Sequence, residues 1–241
     1  MKQIRRSKSL SEMALEGLRE AIVTGQFRLG EPLSEIQLAA TMGTSKTPVR
    51  EALAQLRIEG LVTVVPQSGT FVFTLSSMEV VKLCELRSIL EMEAFKLAYQ
   101  RNKEAFIEAL KAIVIKMTEA HQAMDIPKYL RLDTEFHEQL FKHCDNQYIA
   151  DAYSLIEGKI AALRTHLSSL PQHTLLSLEE HIEFVDALEQ SDLENATLIL
   201  EKHIGRSKET YAENIEDISM SNSNGLRKGR GLRAKKMIDD R

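Results

Sequence analysis

The chain has 241 residues, 43% of them hydrophobic and 27% charged, enough for two modest cores and too many for a single small one. Two isolated cysteines, Cys84 and Cys144, exclude a disulfide framework or a cysteine zinc site and read as reduced core thiols. No apolar run approaches the ~20 residues that span a bilayer, and MKQIRRSKSL lacks the apolar centre of a signal peptide, so a cytoplasmic protein with no membrane contact is expected. The net charge of −4 averages unlike segments: residues 1–75 hold nine Lys/Arg against seven Asp/Glu, residues 76–216 fifteen against 25, and residues 217–241 seven against three. Such asymmetry suits a nucleic-acid-binding head on an acidic body.

Lys2, Arg5, Arg6 and Lys8 form a basic arm, expected to be mobile. Ser9 caps a first helix with Leu10, Met13, Ala14, Leu18, Ala21 and Ile22 as its apolar positions, and Gly25 and Gly30 bracket a turn. Ser34 caps a second helix whose buried face is expected to be Ile36, Leu38, Ala39 and Met42, with Gly43 as its stop. A third helix opens at Ser45, takes Pro48 into its first turn where a missing N–H costs little, buries Val49, Leu53 and Leu56, and ends at Gly60. Two short helices joined by GTS make a helix-turn-helix. The opposite face of the third helix carries Lys46, Thr47, Arg50, Gln55 and Arg57. The first three crowd the N-terminal turn, where a DNA-reading helix meets base edges and phosphates. Leu61–Val65 and Thr70–Phe73 are strand-like runs about a PQSG turn, so a β-hairpin follows and the block reads as a winged helix. Pro66, Gln67, Ser68 and Gly69 form a wing tip small enough to approach a phosphate backbone. A helical packing module with no nucleic-acid role is the plainer alternative.

From Ser76 no strand pattern reappears. SSME is a capping box for a helix to about residue 101, and further helices fit residues 103–123, 127–144, 146–169, 174–190 and 192–215. Asp125, Asn146 and Ser191 or Asp192 serve as caps, and Pro171 breaks the chain. Six helices so tightly joined imply an all-α bundle. Asp133 and His137 are four apart and share one side of a helix. His181 falls in phase with Leu178, Val185 and Leu188, and His203 with Ala196, Ile199 and Leu200, so both face inward on neighbouring antiparallel helices. Imidazoles and a carboxylate suit zinc, nickel, cobalt, manganese or iron. Each residue taken singly is also explained as a hydrogen-bonded core group or a cap, and spacing alone leaves both readings open.

The run LGEPLSEIQLAATMGTSKTPVREALAQLRIEGLV followed by GTFV resembles the N-terminal domain of the GntR family of bacterial transcription regulators. The resemblance implies operator contacts from Ser45, Lys46, Thr47, Arg50, Gln67 and Gly69. Many relatives have arginine where this chain has Lys46, and a lysine lacks the flat two-pronged contact with guanine. DTEFHEQLF and EEHIEFVDALEQSDLENATLILEKHI resemble the FCD effector-binding domain of the FadR-like branch, whose metal-binding form uses one Asp and three His. These match Asp133, His137, His181 and His203, whereas His121, His143, His166 and His173 match no ligand position and read as surface or packing residues. The same comparison gives Arg87, in CELRSILE, the role of pairing with an effector carboxylate. An ion pair with Glu91 at i+4 competes with that reading. Arg164, on the fourth body helix, is a second pocket candidate.

The resemblance covers about residues 9–215. Beyond it SMSNSNGLRKGRGLRAKKMIDDR is polar and then basic, and is expected to be disordered, with six Lys/Arg between Arg227 and Lys236 available to DNA. The expected protein is mainly α: a winged helix-turn-helix at 1–75, an all-helical effector-binding and dimerisation domain at 76–216, and a basic tail at 217–241. Its expected function is a ligand-responsive transcription regulator and not an enzyme. It acts as a repressor, bound as a homodimer to an inverted repeat in double-stranded DNA. A small carboxylic acid controls it at a divalent metal site (zinc, nickel, manganese or similar). The rivals are a regulator that senses the metal itself, a metal-dependent hydrolase, and an architectural DNA binder.

Overall fold

The computed structural model describes residues 8–168, 170 and 172–236. The described residues divide into two units: one holds 8–74 together with 215–236, the other those of Leu75–Asn214.

In the head, α1 (Leu10–Val23) starts on a capping box, in which the Ser9 hydroxyl accepts from the Glu12 N–H and the Glu12 carboxylate accepts from the Ser9 N–H. α2 (Glu35–Thr41) and α3 (Lys46–Ile58) follow. Between them Gly43 turns the chain left-handed at φ +62°, and the Thr44 N–H returns to the Ala39 carbonyl at 3.0 Å. Gly60 closes α3 in the same way, with the Leu61 N–H on the Leu56 carbonyl at 2.9 Å. β1 (Pro32–Leu33), β2 (Val62–Val65) and β3 (Gly69–Val72) form an antiparallel sheet in the order β1-β3-β2, with Val62 opposite Val72 and Leu33 opposite Thr70. The hairpin is the expected wing. β1 was not anticipated, because a two-residue strand has no period to read and its partner lies about forty residues away. Leu18, Ile22, Leu29, Val49 and Leu56 are fully buried in the head core, and Arg19 of α1 forks onto Glu59 beyond α3 at 2.7 and 2.9 Å. Ile36 corrects the sequence reading. It is 64% exposed, since it lies about 200° around α2 from the buried Leu38.

The body opens with α4 (Ser77–Gln122), capped by a Ser76–Glu79 box and broken at Asn102, where φ −138° and ψ 38° leave two helices in succession as the periodicity predicts. The break is useful to its neighbour. Asn102 Nδ2 donates to the His143 carbonyl at 2.8 Å, and Arg101 donates to the carbonyls of Cys144 and Asp145 at 3.0 and 2.7 Å, so groups orphaned at the end of α5 (Ile126–His143) are satisfied. α6 (Gln147–Leu167), α7 (His173–Glu189) and α8 (Leu193–Lys236) complete the element order. Asp125, Asn146 and Asp192 accept the expected cap hydrogen bonds, from the N–H groups of Lys128, Ile149 and Asn195. The core joins Phe95, Phe106, Leu110, Phe136, Leu140, Phe184 and Leu188, with the Phe184 ring edge-on to Phe95 at 5.1 Å and to Phe136 at 6.2 Å. Cys84 and Cys144 are buried free thiols.

The basic arm at Lys2, Arg5 and Arg6 and the break at Pro171 lie outside the described residues. α8 is helical to Lys236, where composition predicts no regular structure; a helix already nucleated extends one residue at a time without a second nucleation cost. Among the described residues no helix is long and apolar enough to cross a membrane.

Candidate functional site

On the head, Ser45, Lys46, Thr47 and Arg50 are all exposed at the start of α3, while Pro48, Val49, Ala52 and Leu53 anchor the opposite face in the core. Ser45 holds the N-cap position, yet its hydroxyl makes no cap bond, so it and the first N–H groups of α3 stand open to a phosphate. Arg50 pairs with Glu35 at 2.6 Å across the helix-turn-helix. Gln67 and Gly69 sit at the wing tip. The Ser68 N–H bonds to the Val65 carbonyl at 3.0 Å, Pro66 fixes the first central residue of the turn, and Gln67 takes φ +61°, the arrangement of a type II turn. Gly69 adopts φ +122°, which only glycine adopts without strain.

In the body, side chains converge from five helices: Arg87 and Glu91 from α4, Asp133 and His137 from α5, Tyr153 and Arg164 from α6, Glu180 and His181 from α7, and His203 and Arg206 from α8. The apolar neighbours that predicted inward-facing histidines, Leu178, Val185 and Leu188 on α7 and Ala196, Ile199 and Leu200 on α8, are buried. Rings of His137, His181 and His203 meet with centroids 4.7–5.3 Å apart, and one nitrogen from each lies within 4.8 Å of the others. Burial holds His137 down to about 4 and His181 well below its ordinary value, so both are neutral at pH 7, with a lone pair to donate.

Three acids and three guanidiniums surround these rings. Arg87 donates from Nε to Glu91 Oε1 at 2.6 Å and brings Nη2 to 3.2 Å from His137 Nε2, so the i+4 ion pair and the inward-facing arginine are both realised. Glu91 Oε2 is 2.9 Å from His137 Nδ1, and the Tyr153 hydroxyl lies 3.3 Å from Oε1. Burial opposes ionisation of Glu91, but Arg87 and His137 hold it well below the usual carboxylate range. Arg164 Nε lies 2.6 Å from Asp133 Oδ2, and Asp133 Oδ1 is 3.6 Å from His181 Nδ1, too far for a hydrogen bond. Asp133 therefore stands beside His181 and outside the tight triad. Arg206 grips Glu180 through Nε and Nη2 at 2.8 and 2.6 Å, and Glu180 Oε2 is 2.8 Å from His203 Nδ1. Burial also opposes ionisation of Glu180, yet hydrogen bonds from His203 and Arg206 bring it to about 2.

Five buried polar atoms in this cage have no hydrogen-bond partner: Arg87 Nη1, Arg164 Nη2, Asp133 Oδ2, which has only its ion pair with Arg164, and both ring nitrogens of His181. Each such atom costs about 1–3 kcal/mol, and their gathering in one place marks a site shaped for something else to complete. Neutral imidazoles beside a carboxylate are the donor set of a borderline divalent metal, so the residues fit the expected ion. Glu91, Glu180, Arg206 and Tyr153 were not foreseen as part of the site. Glu91 carried a signal, four residues from Arg87, and so did Arg206, three from His203. His173 is buried with Nδ1 3.5 Å from Arg206 Nη1, His121 packs on Tyr129 and His143 on Phe106, so these three remain packing residues.

Residues 10–72 match the family model described as bacterial regulatory proteins, gntR family, and residues 82–206 match that of the FCD domain. The chain belongs to the GntR family. The Nta operon transcriptional regulator of Aminobacter aminovorans is 31% identical over 212 residues, 86% of this chain and 99% of that protein. A probable D-xylose utilization operon transcriptional repressor of Paenarthrobacter nicotinovorans is 31% identical over 184 residues, covering 76% and 80% of the two chains. The HTH-type transcriptional repressor NanR of Cronobacter sakazakii is 30% identical over 217 residues, 82% and 83%. Among solved structures, a putative GntR transcriptional regulator from Rhodococcus sp. RHA1 shares the fold, with a TM-score of 0.75 at 20% identity over 85% of this chain and 98% of that one. As a GntR regulator with an FCD domain, the protein is a DNA-binding transcription regulator and not an enzyme, which removes the hydrolase reading of the buried cage.

Proposed function

We propose that this GntR protein is a cytoplasmic, ligand-responsive repressor that binds an inverted repeat as a homodimer and is controlled by a small carboxylic acid at a metal ion in its FCD domain. Residues 1–75 serve as the reading head and residues 76–216 as the effector-binding and dimerisation domain. Ser45, Lys46, Thr47, Arg50, Gln67 and Gly69 contact the operator; Asp133, His137, His181 and His203 hold the metal; Arg87 and Arg164 receive the acid. A homodimer matches its own two-fold axis to that of the operator. The names of the D-xylose and NanR relatives support repression as the sign.

One observation carries the effector reading. Three convergent imidazoles share a buried cage with two guanidiniums that each keep an unpartnered N–H, the group a carboxylate would take. A ligand that binds the cage in one arrangement of the helices more tightly than in another shifts that equilibrium, and DNA affinity follows by linkage. The metal-sensor reading has its own support, since Arg87 and Arg164 already pair with Glu91 and Asp133 and the cage is charge-balanced without an acid.

A thermal-shift screen of metal-loaded and metal-stripped protein against small hydroxy, sugar and amino acids tests the proposal. Stabilisation by one acid class, lost on stripping and accompanied by release of DNA, is the expected result. Stabilisation by the metal alone, with DNA affinity following free metal and ignoring every acid, would replace it with the sensor.

A further inference from the structure

Three times in the cage a guanidinium, a carboxylate and an imidazole stand in a row: Arg87, Glu91 and His137; Arg206, Glu180 and His203; Arg164, Asp133 and His181. The rows are not equivalent. In the first two the carboxylate oxygen meets imidazole Nδ1 at hydrogen-bond distance, 2.9 and 2.8 Å; in the third the gap is 3.6 Å. Glu91 and Glu180 have both oxygens engaged, Glu91 by Arg87, Tyr153 and His137, and Glu180 by Arg206 and His203. Asp133 Oδ2 has only the close Arg164 contact and no aligned hydrogen bond.

An ionised carboxylate only accepts, so the proton in each short contact belongs to Nδ1 and the lone pair to Nε2. Arg87 Nη2 lies 3.2 Å from His137 Nε2 and 3.4 Å from Nδ1, so this guanidinium does not choose between the two nitrogens, and the short Glu91 contact at Nδ1 decides. We infer that Glu91 and Glu180 are positioning residues that fix His137 and His203 as Nδ1–H tautomers and aim Nε2 at the metal, leaving Asp133 as the one carboxylate of the cage that ligates. The inference rests on the metal reading above and adds two residues to it. Glu91 then acts twice, holding both the imidazole that faces the metal and the guanidinium that faces the acid. Outer carboxylates of this kind orient a ligand ring and raise its basicity.

The test is carried out on full-length, 15N-labelled protein. Long-range 1H–15N spectra of the metal-free form at neutral pH report the tautomer of each histidine, assigned by loss of signals in His137→Gln and His203→Gln. Protonation at Nδ1 in both is expected, and protonation of either at Nε2 would overturn the inference. Loading with 113Cd2+ should then give one-bond coupling to Nε2 of both rings, with the metal affinity of Glu91→Gln and Glu180→Gln reduced 10–100-fold. Should either variant fail to fold, the wild-type spectra still decide. Cadmium bound through Nδ1 would overturn the tautomer assignment while sparing the metal site. Nδ1–H tautomers in a protein that takes up no cadmium would overturn the metal reading, and the positioning role with it.

Discussion

His181 offers the sharpest test of why the cage is built as it is. The ring is 2% exposed, neither nitrogen has a hydrogen-bond partner, and its chief attraction is a tilted contact with Phe136 at 4.1 Å. Leucine is close to it in volume. In the metal-free protein His181→Leu gives up the ring contact, about 0.5–1.5 kcal/mol, and removes two buried unpartnered nitrogens that cost about 1–3 kcal/mol each. The variant should therefore unfold at the same temperature as the wild type or several degrees higher. Metal reverses the order. At a hundredfold over its dissociation constant an ion adds about 2.7 kcal/mol to the wild type, which at about 2–4 °C per kcal/mol is a rise of roughly 5–11 °C, and the variant should gain much less. Scanning calorimetry on chelator-stripped and zinc-loaded samples of both proteins reads all four values. A metal-free variant destabilised by more than about 1 kcal/mol would mean that His181 is an ordinary structural core residue; a full zinc shift in the variant would remove it from the ligand set.

Two further outcomes follow from the geometry. Arg50→Ala breaks only an exposed pair with Glu35, worth about 0–1 kcal/mol, so the fold should persist while affinity for a DNA selected from a random duplex library falls about 10–100-fold; unchanged affinity and an unchanged salt slope in an anisotropy titration would sink the assignment of the α3 face. His173 is lowered to about 4 from an ordinary 6.5 by burial and then by Arg206, so the unfolded chain takes up its proton first. Its contribution is complete above pH 6.5 and is lost as pH falls towards 4, at most about 3 kcal/mol, and His173→Leu should flatten that part of the stability profile of metal-free protein; an identical acid limb in the variant would refute the shift.

The fold was legible where a local rule decides it. The capping residues Ser9, Ser76, Asp125 and Asn146 and the stops Gly43 and Gly60 act within one turn of chain, and the helices and hairpin they bound stand where the periods put them. β1 was invisible because Pro32 and Leu33 are strand only by virtue of Phe71 and Thr70. In the cage, spacing showed that Asp133 and His137 share a side and that His181 and His203 face inward. It did not show the convergence of the three rings, which depends on how α5, α7 and α8 pack. Glu91 and Glu180 were hidden by a general expectation, that glutamate on an amphipathic helix faces water. Both break it because each meets an arginine and a histidine inside, and a buried carboxylate survives only when so paired.

That pairing also supplies what a regulator needs. Glu91 to His137 ties α4 to α5, Tyr153 to Glu91 ties α6 to α4, Arg164 to Asp133 ties α6 to α5, and the grip of Arg206 and His203 on Glu180 ties α8 to α7. Apolar contacts in the surrounding core are numerous and tolerant of small slides. These polar links are few and directional, and breaking one leaves a buried charge exposed to a cost of several kcal/mol. A ligand entering the cage must exchange its own contacts for some of them, above all at Arg87, whose Nη2 lies 3.2 and 3.4 Å from the two ring nitrogens of His137. Because the cage gathers side chains from five helices, a change of a few hydrogen bonds there acts on several of them at once, which a ligand bound to a single helix could not do.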